Sequence, residues 1–182
     1  MILHTIGDIG VDGARYSAME FTGEAASELD MDGRFTMSNM AIEAGAKVGL
    51  FPVDEKTRKY ITEHGNKPFT ACEPDKDARY ADVIEYDVSK MEPQVAIPNI
   101  PSNVKPISRV GDVRIDQVVI GACTNGRLND MRAAAQILKG RKIHEDLRCI
   151  VIPGSQQVYL DALEEGLIES FVRAGAAVST PT

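Results

Sequence analysis

Val118-Val119-Ile120-Gly121-Ala122-Cys123-Thr124-Asn125-Gly126-Arg127 decides the fold of this chain. The β-branched run predicts a buried strand. It breaks at Gly121, and a helical pattern begins near Arg127. Cys123 therefore falls in a strand-to-helix turn, at the carboxyl end of the strand, where α/β sheets bind ligands. Helix N-terminal N–H groups in such a turn stabilise a thiolate. Two readings stay open at the residue level: an inert packed cysteine, or a thiolate acting as nucleophile or metal ligand.

Downstream, the pattern continues in the same style. Leu128 to Lys139 is a helix with Leu128, Met131, Ala135 and Leu138 on one face, closed by Gly140. Leu147 to Ile152 is a strand, and Cys149 within it is a buried strand residue. Ser155 caps a long helical region divided or kinked at Gly166. Ala176 to Thr180 is a third strand. Strands alternating with helices predict a parallel βαβαβ sheet with right-handed crossovers. Three strands make an incomplete one.

Upstream, the signals are weaker. Tyr16 to Thr22 is ambiguous between strand and helix. Ala25 to Leu29 is a short helix, with Asp32-Gly33 as the turn that stops it. Asn39 to Ala46 reads as a helix capped by Thr36 or Ser38. Asp54 to His64 is a helix with Asp54 as N-cap and Gly65 past its end. Val83 to Val88 alternates apolar and polar residues, as a half-buried strand does. Ile97 to Pro106 carries three prolines and reads as a linker. The predicted organisation is α/β, with two small units at 1–100 and 101–182.

Composition narrows the function classes. Twenty-seven acidic against twenty basic residues give a net charge of −7, which argues against a nucleic-acid surface. No apolar run reaches the roughly 20 residues of a membrane helix, and no signal-peptide pattern opens the chain. Cys72, Cys123 and Cys149 have no close spacing, which suits a reducing cytoplasm rather than a disulfide framework. Cys72 has no functional reading. His4, His64 and His144 lie in no metal-ligand spacing. Asn39 and Glu43 share a face on a helix; they are either an exposed polar stripe or a grip on a substrate hydroxyl or metal-bound water. Arg127 is equally a solvated arginine or a carboxylate contact.

Four motifs in order resemble the aconitase superfamily. Ile120 to Arg127 is similar to its first cluster-cysteine motif. Ser38-Asn39-Met40-Ala41-Ile42-Glu43-Ala44-Gly45-Ala46 is similar to its Asn-Met-x-x-Glu-x-Gly-Ala segment. Tyr86 to Pro93 is similar to Asp-x-Ser-x-x-Glu-Pro, and Ile152 to Gln156 to Pro-Gly-Ser-x-Gln. Gly126-Arg127 most resembles the 3-isopropylmalate dehydratase branch, with the homoaconitase branch near. The resemblance implies two α/β/α units and a [4Fe-4S] cluster on three thiolates, Cys123 among them. It assigns Glu43 to the water or hydroxyl on the labile iron, with Asn39 positioning it and Arg127 as a substrate contact. The implied reaction is dehydration and rehydration of a hydroxy di- or tricarboxylic acid, 2- to 3-isopropylmalate in leucine biosynthesis. The implied partner is a small subunit carrying a swivelling domain and the base. The other two cysteines belong to a motif expected just past Thr182, so the chain reads as an internal fragment, inactive and cluster-free by itself. Rival readings are a homoaconitase- or aconitase-type hydratase, a cluster-free binding module, and a cysteine-nucleophile enzyme, which would need a general base.

Overall fold

The computed structural model describes residues 1–65 and 67–181. It divides into two compact units, Met1–Gly111 and Asp112–Thr182.

The second unit follows the sequence closely. Strands β5 (Gln117–Gly121), β6 (Arg148–Ile152) and β7 (Ala177–Val178) form a parallel sheet in the order β5-β6-β7. Between them lie the single turn α5 (Ala122–Asn125) and helices α6 (Leu128–Leu138), α7 (Gln156–Glu164) and α8 (Leu167–Ala174). Gly166, at φ 70°, separates α7 from α8, a backbone state that glycine adopts without a Cβ penalty. Val118, Ile120, Cys149, Val151 and Val178 point to one sheet face. There they meet Met131, Ala135, Ala162, Ile168 and Phe171 from the helices. Phe171, Met131 and Val151 are wholly buried. Val119, on the opposite sheet face, stays 52% exposed. The third strand is shorter than its sequence pattern suggests, two residues instead of five.

The first unit departs further from expectation. Helix α1 (Ile2–Ile9) buries Ile2 and Ile6 against Met37, Ala41, Ala44 and Ala46. The ambiguous Tyr16–Thr22 stretch supplies β1 (Ala18–Glu20), parallel to β2 (Val48–Leu50). Helix α2 (Glu24–Glu28) is the short helix expected. Asp32-Gly33 does not turn the chain; both residues lie inside helix α3 (Met31–Met40). The reason is a cap. The Asp30 carboxylate accepts the Gly33 N–H at 2.8 Å, and a Cβ on Gly33 would stand 3.3 Å from that same oxygen. Neither Thr36 nor Ser38 caps a helix: Thr36 Oγ1 donates back to the Asp32 carbonyl at 3.0 Å. The expected helix from Asn39 to Ala46 is instead the last residues of α3 followed by a 3₁₀ turn, Ala41–Ala44, closed by Gly45 at φ 85°.

Helix α4 (Glu55–His64) starts where predicted, with Asp54 accepting the Thr57 N–H at 3.0 Å. Asp54 also receives the Arg34 guanidinium (2.8 Å to Oδ1, 2.5 Å to Oδ2). Arg34 is 3% exposed, so this pair fastens α4 to α3. The pairing holds the Asp54 carboxyl far below its ordinary range, chiefly through the Arg34 hydrogen bond.

Two further expectations are corrected. Val83 to Val88 forms no ladder, and Val83 is 71% exposed. This stretch is tethered by tyrosines: Tyr80 donates to Glu20 at 2.6 Å, and Tyr86 to Asp8 at 2.8 Å. The proline-rich stretch is not a linker. It is the tip and second arm of an antiparallel hairpin, β3 (Gln94–Ala96) with β4 (Val104–Pro106). Pro106 sits opposite Gln94 at the end of the ladder, a position where a missing N–H is tolerated. Asn103 closes the tip by donating to the Pro98 carbonyl at 3.3 Å. The boundary expected at 100/101 falls within this hairpin, and the division lies instead after Gly111.

Candidate functional site

Cys123 is presented by a turn that the local sequence forces. Gly121 leaves β5 at φ 104°, and Ala122 follows at φ 67°. A positive φ is strained for any residue with a Cβ, so Ala122 holds the turn in a shape that an ordinary chain would relax. At Gly121 an added Cβ would stand 2.1 Å from the Ile152 carbonyl oxygen. At Gly126 it would stand 2.5 Å from the Ala122 oxygen and 2.6 Å from the Gly154 nitrogen. The Gly154 N–H donates to the Gly126 carbonyl at 2.6 Å. The strand-to-helix turns after β5 and β6 are thus pressed backbone to backbone, and only glycine allows that approach.

On this platform Cys123 is exposed, its Sγ 3.8 Å from Thr124 Oγ1. Arg127, four residues on, is the N-cap of α6. Its N–H donates to Asp130 Oδ2 at 3.0 Å, and its carbonyl accepts the Met131 N–H at 3.0 Å. Asp130 also receives Asn125 Nδ2 at 3.5 Å. The Arg127 backbone is therefore spoken for by the helix start, and its half-buried side chain begins beside the cysteine turn. Ser155 accepts the Val158 N–H at 3.2 Å as the cap of α7, while Pro153 is fully buried. The Pro153-Gly154-Ser155 motif builds the floor of the turn and caps a helix.

Asn39 and Glu43 lie in the first unit, at the junction of α3 with its 3₁₀ extension. They are not on one continuous α-helix. Asn39 is exposed and Glu43 half-buried. Glu43 Oε2 has no solvent contact and no hydrogen-bond donor among the described residues. A buried carboxylate oxygen without a donor is unfavourable, which makes Glu43 Oε2 a candidate acceptor for a hydrogen bond from a bound group.

The remaining motif has a structural job. Asp87 Oδ1 accepts the Ser89 N–H at 2.9 Å, forming an Asx turn, and Glu92 Oε1 accepts Ser108 Oγ at 2.8 Å. The Ser89 bonds hold the Asp87 carboxyl below its usual value. Tyr86 stacks edge-on with His4; burial, then its bond to Asp8, pushes its phenol up to about 12. His64 stacks on Tyr60, and His144 faces Asp146 at 3.9 Å. Among the described residues no three His, Cys, Asp or Glu side chains form a metal cage. Cys149 is buried in the second core, and Cys72 is an exposed loop residue. Burial also raises the Cys149 thiol, which suits an unreactive role. No helix is long and apolar enough to cross a membrane among the described residues.

Sequence reasoning did not find the Arg34–Asp54 pair or the strained backbone at Tyr16, φ 61°. An arginine amid polar helix residues gives no sign of burial.

Comparison with known proteins places this geometry in a family. The aconitase family (aconitate hydratase) profile matches residues 1–112 and 103–182. The 3-isopropylmalate dehydratase large subunit of Halothermothrix orenii is 63% identical over all 182 residues, which are 43% of its own length. Those of Moorella thermoacetica and Clostridium kluyveri are 62% and 59% identical over the same spans. The chain therefore spans less than half the length of these curated relatives. With both units matched end to end, the chain belongs to the aconitase family.

Proposed function

We propose that this chain is part of a hydro-lyase large subunit that interconverts 2- and 3-isopropylmalate by loss and readdition of water. The observation that carries the reading is the exposed Cys123 on its strained, glycine-packed turn, in a chain 59–63% identical to dehydratase large subunits.

The chemistry of the donors fits a [4Fe-4S] cluster as resident group. A solvent-facing thiol on a rigid turn is a soft ligand of the type iron–sulfur clusters take. Cys123 would hold one corner, with two further thiolates coming from parts of the parent polypeptide outside this chain. When bound, the cluster supplies a Lewis-acidic iron that polarises the substrate hydroxyl and carboxylate.

This chain's own residues supply the rest. Glu43 Oε2 would accept a hydrogen bond from the substrate hydroxyl or departing water, ending its orphaned state. Asn39, four residues earlier, would orient that contact. Arg127 would pair with a substrate carboxylate, for which a guanidinium is geometrically suited. The base that removes the carbon-bound proton lies on a small-subunit partner.

The test uses the parent large subunit with its small subunit, supplied separately with 2-isopropylmalate, homocitrate and citrate. The expected result is turnover of 2-isopropylmalate at a kcat/KM far above the other two. Preference for homocitrate or citrate would refute the substrate assignment. Replacement E43Q should lower kcat by roughly 10²–10⁴-fold, the range of general acid–base and polar positioning groups.

A further inference from the structure

Asp130 stands on the first turn of α6, one residue before the wholly buried Met131. Its carboxylate reaches back towards the cysteine turn. Oδ2 accepts the Arg127 N–H at 3.0 Å, and Oδ1 accepts Asn125 Nδ2 at 3.5 Å. The first bond is an ordinary helix start, a third-residue carboxylate satisfying the N–H of the cap. The second is not. Asn125 lies outside α6, at the end of α5, the single turn that carries Cys123. One side chain thus spans the boundary between helix and turn.

Between the two bonded residues lies Gly126, buried and wedged against the turn after β6. Its carbonyl accepts the Gly154 N–H at 2.6 Å. The end of the cysteine turn is therefore held from two directions, by Gly154 and by Asp130. At its other end Ala122 sits at φ 67°. A strained backbone persists where its surroundings over-determine it, and these bonds are part of that surrounding hold. The core of the unit asks little of the Asn125 contact. Asn125 is exposed, and neither it nor Asp130 is among the core residues. What the contact fixes is the path of the chain from Cys123 to Arg127.

We infer that Asp130 is a positioning residue, which holds the turn so that Cys123 is presented to the cluster and the Arg127 side chain starts from a fixed point for the substrate carboxylate. The inference rests on the proposed function above. Groups behind a metal ligand fix its orientation, and losing one costs roughly 10–100-fold in metal affinity or activity. Here one carboxylate stands behind both the thiol and the guanidinium, so its removal should loosen the metal and weaken substrate binding together.

The experiment uses the parent large subunit with its small subunit, as wild type, D130A, N125A, N125A/D130A and A135G. Ala135 is buried on the core face of the same helix, so A135G weakens α6 without touching the turn and reports what lost helix stability does by itself. Hydrogen exchange of residues 123–127 is read in the cluster-free large subunit. Iron release to a chelator is read in the loaded one, and KM and kcat for 2-isopropylmalate in the complex. D130A should speed exchange across the turn, speed iron release by roughly 10–100-fold and raise KM. N125A should lower the Tm less than A135G does, yet speed exchange and iron release. In the double variant it should add nothing beyond D130A, because the two residues share one bond. A135G should leave all three readouts close to wild type. If A135G at a comparable Tm reproduces D130A, Asp130 is a helix cap and nothing more, and the inference is overturned. It is overturned equally if N125A behaves as wild type, or if its effect adds in full to that of D130A. Faster exchange in D130A and N125A, in a large subunit that takes up no cluster, would refute the functional reading and leave the hold on the turn standing. An active wild-type enzyme whose turn exchanges no faster in D130A would do the reverse.

Discussion

Gly126 shows how little freedom the cysteine turn has. Its Cα lies where a Cβ would meet three backbone atoms within 2.9 Å, none on a flexible side chain. G126A should therefore destabilise the second unit by about 3 kcal/mol or more, at the severe end of single substitutions, measured by urea unfolding. A cost under about 1 kcal/mol would show that the two turns can part without penalty. Asp54 carries a different kind of constraint. Its ordinary carboxyl value is 3.8, and Arg34 holds it well below that. Because the folded value is depressed, the stabilisation is complete above 3.8 and is lost as pH falls from there towards the folded value. D54N should be less stable than wild type at pH 6, with the gap narrowing at pH 3; a constant gap would contradict the assignment. D54A removes both a helix cap and the partner of a buried guanidinium. It should cost more than the roughly 1 kcal/mol of a cap alone. At this scale Cys123 was legible, because glycine and β-branched residues bracket it. Tyr16 and Arg34 were not, because a backbone dihedral and the burial of a charge depend on partners distant in sequence.

Elements with a strong period were read well. Helix α6 and strands β5 and β6 follow the apolar pattern to within a residue, since each presents one face to a single core. Gly166 and Ser155 marked the division and the start of α7 and α8, and S155A should cost about 1 kcal/mol as an ordinary cap. The first unit was harder. Its core is built largely from alanines, Ala14, Ala41, Ala44 and Ala46, which leave little periodic trace. Asp32-Gly33 has the composition of a turn, but the Asp30 cap used that glycine inside a helix. Val83 to Val88 has the alternation of a strand and no strand beside it. Its amides should exchange within seconds to minutes in this chain, as solvated backbone does, while those of Ile150 and Val151 are protected. Slow exchange at residues 83–88 would show pairing that the structure lacks.

Across the whole chain, the candidate groups fall into two clusters, one on each unit. The second unit fixes Cys123 and Arg127 on one turn; the first fixes Asn39 and Glu43 at one helix junction. The four motifs marked these places from sequence. Geometry sorted them, giving the Asp87–Glu92 motif hydrogen bonds that hold a turn and Ser108, and the Pro153–Gln156 motif a packing role. No spacing in the sequence distinguishes a motif that holds a loop from one that holds a ligand. The donor set among the described residues contains no metal cage. Anaerobic treatment of this chain alone with iron and sulfide should accordingly leave no stable visible absorption.

We propose Cys123 as an iron–sulfur ligand, and the proposed function stands on that role. The direct measurement is anaerobic cluster reconstitution of the parent large subunit, as wild type and as C123A, followed by iron analysis and visible spectroscopy. Wild type should hold close to four irons per chain with the broad absorption of a cubane cluster. C123A should lose that stoichiometry and spectrum while keeping its helical content. A C123A protein that retains a full, stable cluster would rule out that role for Cys123.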